Sequence, residues 1–224
     1  RAGSALEEKD NQGIAHFLEH MFFKGTALRP GAKIAYDVES IGGEINAFTS
    51  FDFTCYYINT PSKSLKKSTE ILLDMVANPD FAQSEIPPER NVVLEEYHRS
   101  QDSPSQFSFQ KIQTNCFSKE YSHPILGNTN TIQQFSRKQL TSFRKQYYNL
   151  SNALLVIGGN LKDQKSIEKI IGKYQIPKGN KSIFPKFSLK NKSCIDIHNK
   201  NVAMATLNIT LESTTFMDPS APAE

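Results

Sequence analysis

Residues 13–24 of this chain place Ile14, Phe17, Leu18, Met21 and Phe22 at helical spacing, with His16, Glu19 and His20 set among them. Gly25-Thr26 and then Pro30 end the pattern, so the sequence predicts a helix over about residues 12–24. Residues four apart lie on one helix face, one turn above the other. His16 and His20 can therefore bring ring nitrogens to about 2.0–2.1 Å from a single zinc ion. Glu19 flanks the same face without being forced to bind the metal, and from there its carboxylate can take a proton from zinc-bound water. Two histidines at helical spacing are often a mere surface pair. The full pattern His-x-x-Glu-His, however, arises by accident in roughly one chain in a hundred or fewer at this length.

A catalytic zinc usually has three protein ligands and one open position, so a further donor must come from elsewhere. A helix opened by Pro87-Pro88 and continued over about residues 89–99 is the best source, since it carries Glu89, Glu95 and Glu96. Glu89 and Glu96 stand two turns apart and share a face, whereas Glu95 points about 100° away from Glu96. His98 is a further candidate that residue chemistry leaves open.

The remaining sequence supplies a scaffold around these helices. Residues 44–59 form a β-branched and aromatic run after the Gly42-Gly43 turn, which reads as two adjacent strands or one long bent strand. Helices are expected from Pro61-Ser62 to Asn78-Pro79, at about 105–117, at 136–147 and at 163–174. Strands are expected at 153–157 and at 202–211. Residues 178–192 are rich in Lys, Asn, Ser and Pro and read as a linker. Hairpin-like strands mixed with groups of helices argue for an α+β fold, mostly antiparallel sheet packed by helices. The expected division is an α+β domain over 1–177, the linker, and the start of a second, similar domain over 193–224.

Composition excludes several functions. A net charge of +3, with lysines scattered instead of interleaved with aromatic platforms, argues against a nucleic-acid partner. No run of eighteen apolar residues occurs, so no membrane span is expected. Cys55, Cys116 and Cys194 cannot all pair internally and lack C-x-x-C spacing, which favours thiols in a reducing compartment such as a bacterial cytoplasm or an organelle matrix. The first residues have no apolar core of a secretory signal, although a chain that begins without Met leaves its true start open.

Taken together, the motifs resemble the pitrilysin, insulin-degrading enzyme and mitochondrial processing peptidase family, the inverzincins. The resemblance is carried by Gly13-Ile14-Ala15-His16-Phe17-Leu18-Glu19-His20-Met21-Phe22-Phe23-Lys24-Gly25-Thr26, by Ile41 to Ser50, and by Glu89 to Glu96. It extends over about residues 3–175, through Asp102-Ser103-Pro104, His123 to Gly127 and Tyr147-Tyr148. The resemblance implies a zinc metalloendopeptidase with one zinc per chain, acting on peptides or unfolded proteins. It implies Glu96 as the third ligand in preference to Glu95, and Glu89 as an auxiliary catalytic glutamate. It implies that Asn46, Ala47, Phe48 and Thr49 form an edge strand that pairs with an extended substrate, Asn46 orienting the scissile carbonyl. It also implies half of a two-domain clamshell, closed by a second homologous domain or subunit. On that pattern the chain is expected to be a fragment that binds zinc and lacks part of the chamber. The rival expectations are a non-catalytic clamshell subunit and, more remotely, a site for another transition metal.

Overall fold

The computed structural model describes residues 1–161, 164–190, 194–201 and 205–211. Eight α-helices and one hairpin follow in chain order among them: α1 Ile14–Phe22, α2 Lys33–Glu39, β1 Glu44–Thr49, β2 Thr54–Asn59, α3 Leu65–Ala77, α4 Ile86–Asp102, α5 Pro104–Cys116, α6 Thr129–Gln134, α7 Arg137–Tyr147 and α8 Gln164–Ile171. The fold is α+β. The helix α1 is its centre, packed against β1, α4 and α7. Ile14, Ala15, Phe17, Leu18, Met21 and Phe22 of α1 are all buried. Each of the larger of these side chains contributes about 1.5–3 kcal/mol by leaving water.

The start of α1 is held by groups far along the chain. Gly13 has φ 94°, a left-handed conformation, and a Cβ there would come within 2.5 Å of the Leu126 carbonyl oxygen, so only glycine fits. The buried Glu7 carboxylate accepts the Gly13 and Ala15 N–H groups at 2.8 and 2.9 Å, satisfying donors that a helix start leaves unpaired. His123 Nε2 meets the same carboxylate at 2.9 Å. The N-cap and first turn of α1 therefore depend on contacts that a local sequence pattern does not contain.

The hairpin is antiparallel, with Glu44 opposite Asn59 and Thr49 opposite Thr54. Along β1 the side chains alternate. Glu44, Asn46 and Phe48 are exposed and Ile45, Ala47 and Thr49 half-buried, as the two-residue period of a strand requires. Among the described residues the sheet has only these two strands.

The sheet is thus smaller than the sequence suggests. Residues 153–157 run without a ladder partner, and Leu154 and Val156 are 87% and 76% exposed. Residues 205–211 also form no strand, and 202–204 lie outside the described residues. Both segments have the apolar pattern of strands, but a strand is defined by the neighbour that takes its N–H and C=O groups. Residues 178–190 contain no helix or strand, as a linker would. They nevertheless lie back on the rest of the chain: Ser182 N–H donates to Asn152 Oδ1 at 2.6 Å, and Leu189 bridges to Phe117. Residues 191–193 and 212–224, within the expected linker and second domain, also fall outside the described residues.

The helices α2 and α6, absent from the sequence reading, are each about two turns long, too short for a clear period. α2 carries a Lys33–Asp37 pair at 2.7 Å, and α6 is capped by Asn128. All three cysteines are free thiols. No helix among the described residues is long and apolar enough to cross a membrane.

Candidate metal centre

The centre lies where α1 faces α4. On α4 the inward stripe is Ile86, Glu89, Val93 and Ser100, and Glu96 continues it at helical spacing. Glu95, one residue off that stripe, is exposed, as is His98. The packing of α4 on α1 therefore brings Glu89 and Glu96, and neither Glu95 nor His98, to the histidines.

His16 Nε2 stands 3.6 Å from Glu96 Oε2, and His20 Nε2 stands 3.4 Å from the same oxygen. The three donor atoms of His16, His20 and Glu96 lie within 4.8 Å of one another. Donors held about 2.0–2.1 Å from a tetrahedral ion are about 3.3–3.4 Å apart, so the two separations to Glu96 match those of zinc ligands. Two imidazoles and one carboxylate, leaving a fourth position open, are also a donor set characteristic of catalytic zinc.

The two histidines differ in what supports them. The Nδ1 atom of His20 meets Glu89 Oε1 at 2.7 Å, and Glu89 Oε2 contacts the Lys24 ammonium. Committing Nδ1 to a carboxylate leaves Nε2 as the nitrogen available to a metal. The Nδ1 atom of His16 is buried and has no partner among the described residues. Burial, reinforced by the charge of His20, pushes the His16 ring down to about 4. Burial would lower His20 too, but its hydrogen bonds to Glu89 and Glu96 outweigh that and raise it to about 9. Burial works against ionisation of Glu89, yet His20 and Lys24 together hold its carboxyl below the usual range. The hydrogen bond from His20 does the same for Glu96.

Glu19 is 8% exposed, and burial raises its carboxyl, opposed chiefly by a hydrogen bond from Thr49. Thr49 Oγ1 lies 2.5 Å from Glu19 Oε2. Of the four β1 residues expected to handle substrate, Thr49 alone reaches this cluster by a hydrogen bond. Asn46 is exposed and its Oδ1 accepts the Ala47 N–H at 2.8 Å, while Phe48 is exposed and packs edge-on against Phe53. Below the site, Tyr56 and Tyr148 hydroxyls meet at 3.0 Å, and burial drives Tyr148 up to about 12.

Two participants escape a reading of the sequence alone. Lys24 has a signal, since it follows His20 by one helical turn, but the turn after Phe22 is no longer α-helix and the pattern reads as a helix end. The link between Thr49 and Glu19 joins two elements 30 residues apart and leaves no local trace.

Comparison with known proteins adds an independent line. Residues 1–129 match the insulinase family, peptidase family M16, and residues 134–223 match the peptidase M16 inactive domain. A protein described as an uncharacterized zinc protease from Rickettsia bellii is 35% identical over 221 residues, 97% of this chain and 53% of the relative. Subunit 1 of the mitochondrial cytochrome b-c1 complex of Bos taurus is 32% identical over 168 residues, 75% of this chain and 35% of that protein. The crystal structure of a protease from Helicobacter pylori superposes with a TM-score of 0.73 at 30% identity, covering 83% of this chain and 46% of that one. The chain spans about half the length, or less, of these relatives.

Proposed function

We infer that this chain, which belongs to the insulinase family of peptidases (M16), carries the zinc centre of a metalloendopeptidase acting on extended peptides or unfolded polypeptides. The observation that supports this most is the convergence of His16 Nε2, His20 Nε2 and Glu96 Oε2 beside the buried Glu19. His16, His20 and Glu96 would hold the ion and leave one position open to substrate. When bound, zinc supplies Lewis acidity toward the peptide carbonyl and makes water a competent nucleophile near neutral pH. Glu19 accepts the proton of the attacking water and returns it to the amine that leaves as the C–N bond breaks. Glu89 fixes the ring of His20 through Nδ1, and Lys24 balances the Glu89 charge.

The outer edge of β1 offers main-chain groups to an extended peptide, which would lie along Asn46, Ala47 and Phe48 as an added strand. Residues beyond the linker at 178–192 would begin a second homologous domain, and that domain or a partner subunit would close the chamber. The match to an inactive M16 domain spans residues 134–223, so it begins at the end of α6, ahead of that linker.

The likeness to a cytochrome b-c1 subunit keeps a second reading in play, that of a clamshell subunit that does not cut. A quenched-peptide assay with zinc analysis, on the protein that carries this chain, separates the two. The peptidase reading expects one zinc per chain and turnover that Glu19→Gln lowers by about 10²–10⁴-fold while zinc stays bound. Absence of turnover in the zinc-loaded wild type, or full turnover in Glu19→Gln, would overturn it.

A further inference from the structure

We propose that Thr49 is a positioning residue for Glu19, holding Oε2 of the carboxylate so that the catalytic proton is taken by Oε1; this rests on the peptidase reading above. The geometry is direct. Thr49 closes β1, its side chain lies on the half-buried face of the strand, and its hydroxyl oxygen is 2.5 Å from Glu19 Oε2.

The direction of that hydrogen bond follows from proton counting. An ionised carboxylate only accepts, and a threonine has one hydroxyl proton to give. Thr54 stands opposite Thr49 in the hairpin, with its hydroxyl 3.3 Å from that of Thr49 and 2.8 Å from the Ala2 carbonyl oxygen. The single Thr54 proton goes to Ala2, Thr49 or Tyr148, and in each case the Thr49 proton is left for the ionised Glu19. Thr49 is the side chain seen donating to Glu19, and it does so at Oε2.

Two consequences bear on the reaction. A free glutamate side chain has three rotatable bonds, and ordering it at the moment of reaction would raise the barrier. Threonine is stiff at χ1, so a strand threonine is a donor already aimed. Because Oε2 is occupied by a donor, the proton lost by the attacking water forms its new O–H bond at Oε1. It then leaves Oε1 for the amine nitrogen as the C–N bond breaks, and the Thr49 proton stays on Thr49 throughout. Thr49 therefore serves the base, although its neighbours on β1 are assigned to the substrate.

The test compares Thr49→Val and Thr49→Ser in the zinc-loaded protein that carries this chain, with kcat, KM, zinc content and crystal structures measured for each. Thr49→Val should lower kcat by about tenfold to a hundredfold, leave KM within about twofold and retain zinc. Thr49→Ser, which keeps the hydroxyl, should recover to within about threefold of wild type. In the Thr49→Val crystal structure Glu19 should leave its wild-type rotamer. A raised KM with unchanged kcat would give Thr49 to the substrate and overturn the proposal. So would Thr49→Ser as impaired as Thr49→Val, or a Glu19 rotamer unmoved in Thr49→Val. The rotamer comparison needs no turnover, so it judges Thr49 even if the wild type hydrolyses nothing and the peptidase reading fails.

Discussion

One turn of α1 separates two imidazoles with opposite surroundings. On the His20 side, Nδ1 rests on the buried Glu89 carboxylate, and Glu89 is itself balanced by Lys24. On the His16 side the residue is 8% exposed and its Nδ1 atom has no partner among the described residues. The outcome is a histidine that holds its proton to about pH 9 beside one that refuses it until about pH 4. The helix gives both rings the same geometry toward a metal, and α4 makes them chemically different. Near neutral pH the metal-free pair therefore carries one dissociable proton, and it sits on His20.

The largest expected effect follows from that proton. A zinc ion requires both rings neutral at the nitrogen it binds, so proton and metal compete for His20. Since the pKa of His20 is raised, competition persists at every pH below about 9. Apparent zinc affinity should climb about tenfold per pH unit, hence about a hundredfold from pH 7 to 9, and then flatten. Calorimetry in buffers of different ionisation enthalpy should detect about one proton released per zinc near pH 7. A flat affinity between pH 7 and 9 would make the two histidines alike and break the comparison.

Removing the charge of Glu89 should have the next largest effect, with a pH signature of its own. Loss of such a supporting carboxylate typically costs about 10–100-fold in metal affinity, and Glu89→Gln should show that full loss above pH 9. Toward pH 7 the gap should narrow, because the same change lowers the pKa of His20 and removes part of the proton competition. Zinc titrations of wild type and Glu89→Gln at pH 7 and 9.5 test this. A gap that stays constant with pH would separate the support given by Glu89 from the proton held by His20.

The sequence carried some of this arrangement and not the rest, for a physical reason. His16, Glu19 and His20 were legible because one helical period sets their relation. Helical spacing also set Glu89 and Glu96 on one face apart from Glu95, but it left His98 open, since the face of α4 that meets α1 depends on the docking of two helices. The strand pattern at 153–157 was legible as a pattern, but strandedness needs a partner that the described residues do not supply. The Thr49–Glu19 and Glu7–Gly13 bonds were invisible for the same reason, as side chains there reach between separate elements.

Lys24 should have the smallest effect, and it asks how far the His20 side extends. Among the described residues its ammonium pairs with Glu89 Oε2, the oxygen of that carboxylate that His20 does not use. Removing it in Lys24→Met leaves Glu89 buried with His20 as its remaining cation among the described residues, so Glu89 should gain affinity for protons while keeping its place. Because Lys24 is one-third exposed, water replaces part of its charge. The expected loss of zinc affinity at pH 7 is therefore only about two- to fivefold. Lys24→Arg keeps the charge, although its planar fork meets a carboxylate differently, and it should recover most of the loss. Equal loss in both variants would mean that the lysine stem, not its charge, supports Glu89, and the His20 side would end at Glu89.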